Sequence, residues 1–130
     1  MKDPRSVIVK TMVTKKDSKT TFDFFKNVKN WESGGALKNI KRVGEWWHAD
    51  APFGEAKIRL RDDEKFGILD HEFVGGGGNW TVFGRVTPNE SGSTMLWQFI
   101  RPEAMTQEQF EEQLENFDAE ILAWKNALES

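Results

Sequence analysis

Apolar residues at Phe110, Leu114, Phe117, Ile121, Trp124 and Leu128 recur four and three positions apart, which lays one continuous stripe along a helix. Thr106 stands before this run as an N-cap, Gln109 completes a capping box, and Met105 and Phe110 occupy the positions of a hydrophobic staple. Glu108, Glu111 and Glu112 suit the positive N-terminal end of such a helix and Lys125 the other end. A helix of about 23 residues is about 34 Å long, enough to cross a small domain. Two of its stripe residues are Phe and one is Trp, bulkier than a coiled-coil seam requires.

Upstream the period changes. Ser6 to Thr14 is rich in β-branched residues and predicts a first strand. After a charged turn, Thr20 is placed to cap a helix from Thr21 to about Asn30, with Phe22, Phe25 and Val28 on one face. Trp31 closes that helix and Ser33-Gly34-Gly35 breaks it. Six strand-like segments follow: LKNIKRV, EWWHAD, GEAKIRLR, FGILDHEFV, NWTVFGRVT and STMLWQFIR. Polar or glycine-rich turns separate them, notably Pro52-Phe53-Gly54, Asp62 to Lys65, Gly75 to Gly78 and Pro88 to Gly92. No helical crossovers lie between these strands, so they pair antiparallel. The expected architecture is α+β: about seven curved antiparallel strands wrapped around the long C-terminal helix, with a short helical segment after strand one.

Composition narrows the class. The 130 residues fit one domain. Apolar content is 38 % and mean hydropathy −0.63, and no apolar run approaches the ~20 residues that span a bilayer. The N-terminal residues show no signal-peptide h-region, and cytoplasmic localisation is the default expectation. Cysteine is absent, which removes disulfides, thiolate metal sites and cysteine nucleophiles. A net charge of −3 and a pI near 5.5 argue against nucleic-acid binding through a basic face. With 6 Trp and 10 Phe but no Tyr, the chain has enough rigid aromatic surface either to fill a core or to line a cavity.

Several strings carry a resemblance: TTFDFFKNVKNW at 20–31, PFGEAKI at 52–58, FGILDHEFV at 66–74 and the tail from Gly92 to Leu128. With the element order, they resemble the START-like or Bet v 1-like superfamily (SRPBCC, polyketide cyclase/dehydrase-like). The FGxLDH string, a strand ending in Arg101 and a Met before the terminal helix are similar to a bacterial SRPBCC subgroup. The resemblance implies a helix-grip fold with a cavity between sheet and terminal helix. It also implies binding of lipids, polyketides or other hydrophobic molecules, cyclase activity in some members, and chaperone-ATPase activation in related domains. Fold alone does not settle function.

His71 is the only catalytic candidate. Alternation places it with Leu69 and Phe73, so it faces any cavity that they face, able to orient a ligand or act as acid or base. The competing reading is a buried histidine hydrogen-bonded within the fold. Arg101 ends its strand on the Met95, Trp97 and Phe99 face and could meet a ligand carboxylate, or else pair with the acidic helix. Trp80 and Trp97 alternate with inward residues, and Trp47 is assigned inward over Trp46. Together with Phe117, Ile121 and Trp124, these nominate an apolar pocket. The alternative is that the aromatics touch one another and leave no space. His48 and His71 lack metal-ligand spacing, with Asp70 and Glu72 on the opposite face, so no metal or cofactor is expected. The tetraglycine run precedes a strand and lacks the Lys-Ser/Thr of a phosphate loop. Asp62, Asp63 and Glu64 belong to a solvated turn.

The leading functional expectation is therefore a monomeric binder of a small hydrophobic or aromatic molecule, lipid or polyketide-like, in a cavity between sheet and helix. Alternatives are a cyclase or hydratase using His71, or a protein-interaction module acting through an outward Trp46 or Trp31.

Overall fold

The computed structural model describes residues 2–76 and 78–130; within the tetraglycine turn, Gly77 lies outside the described residues. In chain order the elements are β1 (Val7–Thr14), α1 (Ser18–Lys26), a 3₁₀ segment (Val28–Gly34), β2 (Lys38–Val43), β3 (Trp46–Ala51) and β4 (Gly54–Asp63). A short 3₁₀ turn (Glu64–Phe66) leads to β5 (Ile68–Gly75), β6 (Gly78–Asn89), β7 (Gly92–Ile100) and α2 (Gln107–Glu129). The strands form one seven-stranded sheet in the order β1-β7-β6-β5-β4-β3-β2, with every neighbouring pair antiparallel.

Register defines the inner face. Trp47 lies opposite Ile58, Ile58 opposite Phe73, and Phe73 opposite Trp80. A second row runs Leu60, His71, Val82, Phe99 and Ile8. Opposed residues share a face, and Ile58, Val82 and Phe99 are buried, so both rows point into the core. Trp46 points outward, as alternation requires, with the Arg59 guanidinium 5.1 Å from its ring centre.

Helix α2 covers this face. Its capping box is complete: the Gln109 amide donates to Thr106 Oγ1 at 3.1 Å and the Thr106 amide to Gln109 Oε1 at 2.9 Å. Phe110, Leu114, Trp124 and Leu128 are buried, while Phe117 and Ile121 pack partly buried against the core. Polar contacts fasten the helix along edge strand β1, from Ser6 to Gln107 (2.5 Å), Lys10 to Asp118 (2.8 Å) and Thr14 to Glu129 (2.7 Å). Strand and helix therefore run in the same direction, and the helix spans the sheet from end to end. None of the described helices is long and apolar enough to cross a membrane.

Two local expectations are corrected. Helix α1 starts at Ser18, because Asp17 and not Thr20 is the cap; the Thr20 amide donates to Asp17 Oδ1 at 2.8 Å. A short carboxylate in extended backbone caps more strongly than threonine, and it also favours the helix's positive end. The helix stops at Lys26, where Asn27 caps the 3₁₀ segment through the Lys29 amide. That segment buries Val28 and Trp31 and ends at Gly35 in the left-handed region (φ 90°). Likewise Asp62 and Asp63 remain in β4, and the chain reverses at Glu64–Gly67, with Gly67 at φ 68°.

Candidate functional site

A cavity of about 140 Å³ opens between the inner face of the sheet, the 3₁₀ segment and α2. Strand alternation and helical spacing build its walls. Strands β5, β6 and β7 contribute His71 and Phe73, Trp80 and Val82, and Trp97 and Phe99. Helix α2 contributes Gln113, Leu114, Phe117, Glu120 and Trp124, which share one side of the helix. Phe25, Trp31, Ala36 and Leu37 close the third side. Phe53 and Gln113 line the cavity and are exposed, so they mark its mouth.

The aromatic residues close only part of the interior. Trp97 and Trp124 lie 5.7 Å apart between ring centres, and each meets Phe25 and Phe117 nearly edge to face at 5.3–5.7 Å. Two indole N–H groups tie this cluster together. Trp31 donates to the Phe25 carbonyl at 2.9 Å, and Trp124 donates to the Trp31 carbonyl at 3.1 Å. The apolar wall is thus held by directed bonds across α1, the 3₁₀ segment and α2. Gly34 belongs to the same fit, since a Cβ there would come within 2.6 Å of Trp124 Nε1.

Two ionisable groups line the space, His71 and Glu120. His71 is buried, its ring 5.0 Å from that of Trp31. Burial pushes its pKa down to about 4, so the ring is neutral at physiological pH. Its Nδ1 lies 3.1 Å from the Leu69 carbonyl, an acceptor, so Nδ1 carries the proton and donates. The other ring nitrogen is left with a lone pair. Glu120 is half-buried beside Gly34 and Trp124. Burial alone raises its carboxyl to about 7, with no neighbouring charge to offset the cost.

Of the residues nominated from sequence, His71, Trp80, Trp97, Phe117 and Trp124 meet in the cavity wall. Trp47, Leu69, Ile121 and Arg101 do not. Trp47 is on the inner face but displaced toward β2, where the Arg42 guanidinium lies 5.8 Å from its ring centre. Leu69 is buried in packed core beyond the cavity floor, and Ile121 sits one residue around the helix from Glu120. Arg101 donates through Nη1 to the Met105 and Pro102 carbonyls, holding the loop that leads into α2. No acidic residue of the helix is its partner among the described residues. Phe25, Trp31, Phe53, Phe73, Phe99, Leu114 and Glu120 enter the wall without having been nominated. Trp31 is also buried, at 5 % exposure, so it cannot serve as an outward contact. His48 lies on the outer face with Glu55 at 3.0 Å, and no cluster able to hold a metal ion occurs among the described residues.

No protein-family model matches the chain, and no curated protein matches it by sequence. Solved structures do match in fold. An uncharacterised Bacillus thuringiensis protein superposes with a TM-score of 0.76 at 12 % identity, covering 96 % of this chain and 100 % of the other. Ara h 8.0201 gives 0.72 at 10 % identity, with coverages of 95 % and 97 %. DynU16, from the dynemicin biosynthetic locus, gives 0.71 at 13 % identity; the match covers 98 % of this chain and 48 % of DynU16. At such identities the likeness is one of architecture, and the architecture is the Bet v 1-like helix-grip fold.

Proposed function

We propose that this protein binds a small hydrophobic or aromatic molecule in the cavity between the sheet and α2. The observation that carries the reading is the cavity itself: its wall is aromatic, it reaches solvent past Phe53 and Gln113, and only His71 and Glu120 in it can ionise. The reading accords with the helix-grip fold shared with Ara h 8.0201 and DynU16.

Volume sets the ligand's size. About 140 Å³ matches the roughly 150 Å³ engineered void known to take up benzene, and falls below the roughly 300 Å³ at which ordinary ligand pockets begin. One ring fits as the walls stand. A lipid chain or polyketide requires the 3₁₀ segment or α2 to move. Catalysis by His71 has weaker support, because a ring that protonates only near pH 4 is a poor base at neutral pH.

Titration with toluene, followed through the indole N–H resonances of Trp97 and Trp124, tests the proposal. Saturable shifts are expected, and they should vanish in Ala36→Phe, where the added ring occupies the space. Undiminished shifts in that variant, or a native protein that neither toluene nor its polar one-ring analogues shift, overturns it.

A further inference from the structure

The ionisable groups of the cavity wall accept hydrogen bonds, whereas its free donors, the Gln113 amide and the Trp80 and Trp97 indole N–H groups, are neutral. His71 spends its one N–H on the Leu69 carbonyl and offers a lone pair. Glu120 brings a carboxylate that has neither a hydrogen-bond partner nor an ion-pair partner among the described residues. Among the described residues, no lysine or arginine lines the space. Arg101, nominated from sequence as a ligand anchor, is committed to backbone carbonyls outside it. An anionic ligand would therefore meet an uncompensated carboxylate and no cation.

The apolar wall leans the same way. Indoles present electron-rich faces, and a cation among them is attracted by the ring quadrupole, more strongly when water is excluded. Trp31, Trp80, Trp97 and Trp124 all line this one small space, and the Glu120 carboxylate and the Trp124 indole both flank Gly34. A partner-free carboxylate half-buried beside packed indoles contributes nothing to packing and costs desolvation. Its placement makes sense if a positive charge arrives with the ligand.

We infer that the cavity takes a compact organic ammonium ion, its apolar body against the indoles and its N–H donors directed to the Glu120 carboxylate. The inference rests on the proposed binding of a small hydrophobic or aromatic molecule and names the chemical class of that molecule. It excludes fatty acids and other carboxylates. No neighbouring charge acts on Glu120: burial alone raises its carboxyl, His71 from β5 is neutral, and on the 3₁₀ segment Lys29 and Glu32 pair with each other at 2.5 Å. Ligand binding should then strengthen as Glu120 ionises, by about 30-fold from pH 5.5 to pH 8 for a carboxyl titrating near 7.

The test titrates the full chain with benzylammonium, benzyl alcohol, toluene and benzoate at pH 8, reading the Trp97 and Trp124 indole resonances. Benzylammonium should bind at least about tenfold more tightly than benzyl alcohol or toluene, and benzoate should not bind. Glu120→Gln, nearly isosteric, should reduce benzylammonium to the level of benzyl alcohol and remove the pH dependence. If benzyl alcohol or toluene equals benzylammonium on the native chain, the cation inference falls while the hydrophobic-binding proposal stands. The cation inference falls equally if the preference persists in Glu120→Gln. If none of the four probes shifts either indole, the binding proposal itself falls.

Discussion

Glu120→Gln should make the free protein more stable, by an amount that depends on pH in a defined way. The carboxyl titrates at about 7 in the folded chain against an ordinary value of 4.5, because burial disfavours its charged form. The folded state therefore holds the proton more tightly than the unfolded state. Below pH 4.5 both states are protonated and the residue costs nothing through ionisation. As pH rises from 4.5 to about 7 the unfolded chain gains by ionising first, and stability falls; above 7 the full cost is present. The interval corresponds to on the order of 3 kcal/mol, reduced to about 2 kcal/mol because the carboxyl is only half-buried and water screens it. His71 acts in the opposite sense. Its pKa is lowered from 6.5 to about 4, so the stability held above pH 6.5 is lost as pH falls toward 4. The two slopes oppose each other between pH 4.5 and 6.5, and the native protein should show a nearly flat curve there. Urea unfolding followed by tryptophan fluorescence at pH 4.5, 6 and 8 reads both. The variant should equal the native chain at pH 4.5 and exceed it by about 2 kcal/mol at pH 8. Its own curve should rise with pH, exposing the His71 slope. A difference that does not grow with pH refutes the burial of an unpaired Glu120 charge.

Other outcomes follow from single contacts. Gly34→Ala should cost about 1–3 kcal/mol, because its Cβ would displace the Trp124 indole, 2.6 Å away, from the Trp31 carbonyl. Thermal unfolding measures the cost, and an unchanged midpoint would show that the indole brace yields freely. Asp17→Ala should cost about 1 kcal/mol by denaturant unfolding while Thr20→Ala costs little, since Asp17 caps α1; the reverse ranking would return the cap to Thr20. Phe53→Ala should change stability by less than about 1 kcal/mol, as Phe53 is 50 % exposed. It should nonetheless speed the exchange of a bound toluene seen by NMR, and equal exchange rates would place the mouth elsewhere.

The frame was legible in the sequence and the cavity wall only in part, for a geometric reason. Period four-and-three spacing and the Thr106–Gln109 box located α2 because helix signals are local. Alternation likewise assigned Leu69, His71 and Phe73 to one face. Local period says which way a side chain points, not how far along its strand the neighbouring layer ends. Leu69 and Phe73 share a face, yet one is packed core and the other lines the space. Trp31 and Phe25 were hidden because their role depends on where the 3₁₀ segment docks, which no pattern in residues 28–34 encodes. Glu120 left a readable trace. It lies three residues after Phe117 and four before Trp124, within the apolar stripe, where a charged residue is out of place. Arg101 misled because a strand-end arginine on an inward face reads equally as ligand anchor and as a clamp on a loop.

The clustering of Trp31, Trp97 and Trp124 has an optical consequence. Ring centres at 5.7 Å and 6.4 Å, with Trp31 and Trp124 fixed by their N–H bonds and Trp97 packed against them, are close enough for the indoles to share excitation. The chain contains no tyrosine, so its absorbance and emission at long ultraviolet wavelengths belong to tryptophan alone. The near-ultraviolet circular dichroism should therefore carry a coupled indole band whose sign and size follow the geometry of the cavity wall. A molecule entering against those rings, or a wall that shifts to admit a larger one, would rewrite that band without any label. The residues that shape the space are also its native chromophore.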